Sequence, residues 1–277
     1  MTDGMRFRWL GAAGVELESG GERLLIDPYF SRVPFRYLFF GRPVPSKELI
    51  LRPLSSARAI MVTHPHYDHL MDVPVVCREF HAAAYGSANT AALLLAYNVP
   101  SEKIHIVRPG DKFQDGPFSV EVFSGEHGRI IGVIPYTGPL PGGLRPPLKL
   151  RDYRMDCMLS FRVSAGGISV LIWNTPSPAH APAADALVIT ITRNPLKWKH
   201  VIEKVTPSVV FPIHWDDFFS PLDRPLRPMM APPHWGDRLF RRMNPQEFAR
   251  ASESFLPQGI VSIPEIFHSI ELGPSHQ

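Results

Sequence analysis

The chain has 277 residues, 29 basic against 26 acidic side chains, and a formal net charge of +3. With 44% hydrophobic and 20% charged residues it has the composition of a globular protein, which excludes wholesale disorder. The basic residues are scattered rather than massed, so no nucleic-acid partner is expected. Cys77 and Cys157 are too few for a disulfide framework or a thiolate metal cage, and a cytoplasmic, reducing location is the simplest expectation. The N-terminal Met-Thr-Asp-Gly-Met-Arg leads directly into strand-like sequence, so no signal peptide is expected, and no apolar run approaches the length of a membrane span. Thirty prolines disfavour long helices, and 12 histidines tilt any metal site towards imidazole and carboxylate ligands.

In chain order, Phe7 to Leu10, Val15 to Glu18 and Arg23 to Ile26 read as strands of a meander, separated by Gly11, Gly14 and Gly20-Gly21. Residues 31 to 53 mix aromatic and basic side chains between prolines, either as a surface loop on the core or as a lid or interface patch. Ala59 to Thr63 reads as a buried strand and Asn89 to Asn98 as a short amphipathic helix. Strands follow near His105 to Val107, Phe118 to Phe123, Met158 to Val163 and Ile168 to Trp173. Residues 134 to 152, rich in Pro and Gly, predict an irregular loop.

Further on, Ala186 to Ile191 and Ser208 to Ile213 read as buried strands. Between them a helix opens at Asn194 with Pro195 in its first turn, and a last helix opens at Asn244, Pro245 and Glu247. A meander followed by mixed strands and helices, twice over, is satisfied by two packed sheets with helices outside.

The chemistry is concentrated in Thr63-His64-Pro65-His66-Tyr67-Asp68-His69, which puts three imidazoles and a carboxylate into six positions after a strand. Residues two apart in extended chain share a side, so His64 and His66 can grip one ion, while Asp68 and His69 face a second as the chain turns. Burying four such groups without a cation would be costly. This donor set suits zinc first, with manganese or iron as alternatives.

HxHxDH after an apolar strand resembles the signature of the metallo-β-lactamase superfamily. That resemblance implies an α+β fold, a four-layer αβ/βα sandwich of two mixed sheets with helices outside, here as one domain over residues 1–277. Irregular insertions are expected near 31–53 and 134–152, with a Pro/Arg-rich segment at 221–244. It assigns Asp27, in Leu-Ile-Asp-Pro, to support of the metal loop, His127 to the first ion with His64 and His66, and His214 to the second ion with Asp68 and His69. Asn174, in Leu-Ile-Trp-Asn-Thr, occupies the slot of the family's bridging aspartate and puts two-ion occupancy in question.

The activity implied is hydrolysis of an ester-type bond in a small molecule (phosphodiester, lactone or related) by metal-activated water, with Asp68 and His69 in catalytic roles. Arg145 and Arg151 are candidates to bind a substrate anion, and Asp216 and Asp217 are either orienters of the site or solvated loop residues. Nothing resembles the long inserted domain of nucleic-acid-processing members, and a homo-oligomer is compatible with the sequence. Two other readings stay open: an iron-binding redox protein on the same fold, and a degenerate member that binds metal or ligand without turnover.

Overall fold

The computed structural model describes residues 4–128, 133–231, 241–256 and 258–273. The first strands are β1 (Met5–Gly11), β2 (Gly14–Ser19), β3 (Glu22–Ile26), β4 (Ala59–Met61), β5 (Ala83–Gly86) and β6 (Ile104–Ile106). They are followed by β7 (Lys112–Asp115), β8 (Phe118–Gly125), β9 (Met158–Ala165), β10 (Ile168–Trp173), β11 (Ala186–Thr190) and β12 (Val209–Ile213). The last four are β13 (Met230–Ala231), β14 (Arg241–Arg242), β15 (Ile260–Val261) and β16 (Ser269–Leu272). The helices are α1 (Lys47–Leu51), α2 (Tyr67–Leu70), α3 (Val73–Phe80), α4 (Ala88–Ala96), α5 (Lys199–Val205) and α6 (Pro245–Glu253).

One seven-stranded sheet runs β16-β1-β2-β3-β4-β5-β6 and the other β15-β12-β11-β10-β9-β8-β7. Each is mixed: the β1–β2–β3 and β7–β8–β9–β10 stretches are antiparallel, while β3–β4–β5–β6 and β10–β11–β12–β15 are parallel. The parallel halves need crossovers, and helices supply several of them.

Strand alternation decides how the layers stack. In β10, Ile168, Val170 and Ile172 enter a core shared by the two sheets, and Leu171 and Trp173 point the other way, towards α5 and α6. In β3 and β4, Leu24, Ile26, Ala59 and Met61 face the shared core, and Leu25 and Ile60 face the layer holding α3 and α4. Both faces of these strands are buried, which is why they read as continuous apolar runs. The result is the expected sandwich, helices outside two mixed sheets.

Between residues 31 and 53 the chain is more ordered than a loop, with a 3-10 turn over Phe35–Leu38 and α1 capped by Ser46. Residues 134–152 are irregular up to a 3-10 turn at Leu150–Asp152, as expected. Trp235, Asp237, Arg238 and Phe240, within the Pro/Arg-rich segment, lie outside the described residues. Both cysteines are free. Among the described residues, no helix is long and apolar enough to cross a membrane.

Candidate metal centre

β4 ends at Met61, and the chain runs extended through Thr63 and His64 to His66, which starts α2. His64 and His66 present their rings 4.6 Å apart, and His127, two residues past β8, lies 5.0 and 4.9 Å from them. Asp68 and His69, in the first turn of α2, meet His214, the residue after β12. The structure thereby forms two triads, His64–His66–His127 and Asp68–His69–His214, each with ligand atoms within 4.8 Å of one another. Ligands bound about 2 Å from a shared ion lie about 3–4 Å apart, a spacing that this limit includes.

The hydrogen bonds assign the nitrogens. His69 donates from Nδ1 to Asp27 Oδ2 at 2.7 Å, which leaves Nε2 facing Asp68 Oδ2 at 3.5 Å. His214 Nε2 also lies 3.5 Å from Asp68 Oδ2. His66 Nε2 donates to Pro135 O at 3.0 Å and His127 Nδ1 to Gly128 O at 2.6 Å, leaving the opposite nitrogen of each ring for a ligand. His64 Nε2 is buried with no hydrogen-bond partner among the described residues. An orphaned buried acceptor costs about 1–3 kcal/mol, and a cation would satisfy it. Neutral imidazoles with one carboxylate are a donor set for zinc, iron or manganese, so the residues fit a divalent ion at each triad.

Electrostatics divide the triads. Burial and the neighbouring imidazoles hold His64 well below the ordinary histidine value, and burial lowers His66 to about 4 and His127 in the same direction. These three are neutral at neutral pH, as ligands must be. Burial opposes ionisation of both Asp68 and His69, but their mutual attraction wins. His69 and His214 pull Asp68 below the carboxylate range, and Asp27 with Asp68 raises His69. The first triad is uncharged and the second carries the anion.

The scaffold behind the ligands is buried too. Asp27, in the left-handed region at φ 46°, accepts from Thr63 N at 2.8 Å and Thr63 Oγ1 at 2.5 Å as well as from His69, so it ties β3 to the metal loop. Ala12, Arg32 and His214 are also left-handed non-glycine residues, and such strained positions gather at functional sites. His214 N donates to Ala12 O, Ala12 N donates to Asp216 Oδ1, and Asp216 pairs with Arg32 Nη2 at 2.7 Å, both side chains fully buried. Asp216 is thus an anchor of the His214 turn and not a solvated loop residue, whereas half-buried Asp217 accepts from Ser220 Oγ in the next turn. Gly11 belongs to the same turn, where a Cβ would overlap the Arg32 guanidinium.

Asn174 follows β10 and donates from Nδ2 to Leu159 O at 3.3 Å, while Leu159 N donates to Thr63 O, so it sits beside the loop that carries His64. Arg145 and Arg151 are exposed on the 134–152 segment, and Arg145 O accepts from Arg42. Nothing in the local sequence marks the role of Thr63 or the pairing of Arg32 with Asp216 across 184 positions, and little marks that of Asp72. Asp72, fully buried, accepts from Phe30 N, Ser31 N and Ser31 Oγ and fixes the start of the 31–53 segment. Its position three residues after His69, immediately before the apolar run Val73-Pro74-Val75-Val76, was the available signal.

Comparison with known proteins agrees with this fold. Residues 22–145 match the family model described as a beta-lactamase superfamily domain. A UPF0173 metal-dependent hydrolase of Agrobacterium fabrum is 31% identical over 123 residues, 44% of this chain and 48% of that protein. One from Caldivirga maquilingensis is 26% identical over 270 residues, 90% of each. The chain thus spans about half the length of the first relative and most of the second. Among solved structures, a metallo hydrolase of Ignicoccus hospitalis superposes with a TM-score of 0.65 at 14% identity, covering 98% of this chain and 99% of that one. The metallo-beta-lactamase fold protein YhfI of Bacillus subtilis gives 0.59 at 13% identity, covering 97% and 99%. Residues 22–145 thus resemble a beta-lactamase superfamily domain, and the chain as a whole has the fold of the metallo-beta-lactamase fold proteins.

Proposed function

We propose that this chain is a metal-dependent hydrolase that cleaves an ester-type bond in a small molecule, a phosphodiester, lactone or related ester. The observation that carries the reading is the convergence of two ligand triads. His66, His69 and His127 are each bonded through one ring nitrogen to a group outside the triads, and His64 Nε2 is buried without a partner among the described residues. The names of the curated relatives, metal-dependent hydrolases, support the same class.

His64, His66 and His127 would hold one ion and Asp68, His69 and His214 another, zinc before manganese or iron. Bound there, divalent ions supply Lewis acidity and water whose pKa is lowered to about 7. The rest is the protein's work. Asp68, kept ionised by His69 and His214, orients water and carries its proton to the leaving group. Asp27 holds the His69 ring in one tautomer and one orientation. Pro135 O does the same for His66 and brings the 134–152 segment to the edge of the site, where Arg145 and Arg151 are the nearest candidates in sequence for an anionic substrate group.

The test is turnover of bis(p-nitrophenyl) phosphate, a γ-lactone and p-nitrophenyl butyrate by protein loaded with zinc, manganese or iron, beside a chelated control. Hydrolysis that needs metal and disappears in His66→Ala is the expected result. Hydrolysis that survives chelation would overturn it, and oxygen uptake by the iron-loaded form without hydrolysis would favour the redox reading.

A further inference from the structure

Five phenylalanines form a file of rings that starts on the metal centre and ends in solvent. Phe218 lies edge-on to His214 with centroids 5.3 Å apart, and Phe219 follows at 4.8 Å. Phe35 meets Phe219 at 5.1 Å, Phe39 meets Phe35 at 5.7 Å, and Phe40 meets Phe39 at 6.3 Å. Tyr67, inside the histidine motif, flanks both Phe218 and Phe219 at 6.4 and 6.3 Å. Exposure climbs along the file: Phe218 and Phe219 are half-buried, and Phe35, Phe39 and Phe40 are 55, 68 and 79% exposed.

Large aromatic side chains left in water in a connected row call for an apolar occupant. The two ends of this row differ. One end touches a side chain of the second triad and the other is open, so an apolar chain laid on the strip has its head at the metal centre. A surface used only for self-association or for a membrane would have no need of that connection.

We infer that the strip Phe218–Phe219–Phe35–Phe39–Phe40 binds the hydrocarbon tail of an amphiphilic substrate whose ester or phosphate head lies at the two triads. The inference rests on the metal-centre reading for the position of the head. It assigns a specificity role to the 31–53 segment, which the hydrolytic chemistry itself does not use. The order of that segment is consistent with such a role: Asp72 pins Phe30 and Ser31, and the Ser31 hydroxyl is bonded to Ser46 N, so the turn carrying Phe35 and Phe39 is held at both ends.

The experiment is calorimetric titration of zinc-loaded and metal-free protein with methyl, butyl, hexyl and octyl phosphate, each below its micelle concentration. A fully buried methylene tightens binding about fourfold. A tail lying on an open strip keeps one side in water, so about twofold per methylene is expected in wild type. Phe39→Ser with Phe40→Ser, at exposed positions that the core does not need, should flatten the series while leaving methyl phosphate affinity unchanged, and Phe39→Leu should restore most of the slope. Equal affinity for methyl and octyl phosphate overturns the tail site and leaves the metal reading standing. A chain-length slope that is the same without zinc and is lost in the serine variants keeps the tail site and removes the head from the metals. No binding of any alkyl phosphate overturns the proposal. So does a wild type with no slope that elutes as a dimer dissociated by the serine variants, or that binds phosphatidylcholine vesicles.

Discussion

Single side chains decide the character of each triad. Asp27 is 1% exposed and spends its carboxylate on Thr63 and on His69 Nδ1, so it determines which His69 nitrogen is offered to the ion. An amide there would offer at most one acceptor oxygen to those three donors. Asp27→Asn is expected to weaken the Asp68–His69–His214 site by about 10- to 100-fold, with less change at His64–His66–His127. Zinc titration by calorimetry reads both steps, and an unaltered weaker step would contradict the role. Asn174 is expected to act on the same step. A carboxylate in its place would offset repulsion between two divalent ions about 3.5–4 Å apart, so Asn174→Asp should tighten the second binding event. A second step unchanged in that variant would show that Asn174 is not between the ions.

Asp72 illustrates a buried carboxyl with a different task. Burial raises it to about 6 from an ordinary 3.8, although three hydrogen bonds and Arg32 pull the other way. A carboxyl whose pKa is raised on folding binds its proton more tightly in the folded chain, so stability falls as pH rises through that window, from about 4 to about 6. Asp72→Asn cannot ionise. The stability of the asparagine variant relative to wild type should therefore increase between pH 4 and 6, by on the order of 1–3 kcal/mol, and stay level above. Urea unfolding at a series of pH values measures it, and a level difference across the window would contradict the shift.

At the scale of elements, what could be read from the sequence follows burial pattern. β10 and β11 are apolar on both faces and were visible at their observed bounds or within a residue of them, because each face packs on a different layer. The turn at Asn194 and the helix at Asn244 were visible because each cap accepts from the backbone of its own first turn. α3 was not, since Val73-Pro74-Val75-Val76 is β-branched around a proline and takes its helical state from packing against the first sheet. β16 was not either: Ser269–Leu272 is four residues at a sheet edge and pairs with β1 from the far end of the chain. The Arg32–Asp216 pair belongs here, because it clamps the 31–53 segment to the His214 turn. Removing one partner of a buried pair leaves a stranded charge, so Arg32→Met or Asp216→Ala should each cost about 3–5 kcal/mol. The double variant should cost less than the sum of the two. Additive losses in urea unfolding would mean the two residues act independently.

For the whole molecule, the sequence revealed chemistry more readily than geometry. The motif from His64 to His69 is local, and it named four of the six triad residues without a fold. His127 and His214 come from the other sheet, and only family resemblance pointed to them; the structure brings both to the mouth of the sandwich, at the ends of β8 and β12. The anchors behind them were illegible, because nothing in the local sequence of Asp216 shows that its partner lies near position 32. The two triads, one neutral and one carrying a carboxylate, are expected to hold divalent ions of unequal affinity. Calorimetric titration of zinc into metal-free wild type and His64→Ala, with elemental analysis of the products, tests this most directly. Two binding steps in wild type, with the tighter one lost in His64→Ala, are the predicted result, and unchanged zinc stoichiometry in His64→Ala would contradict it.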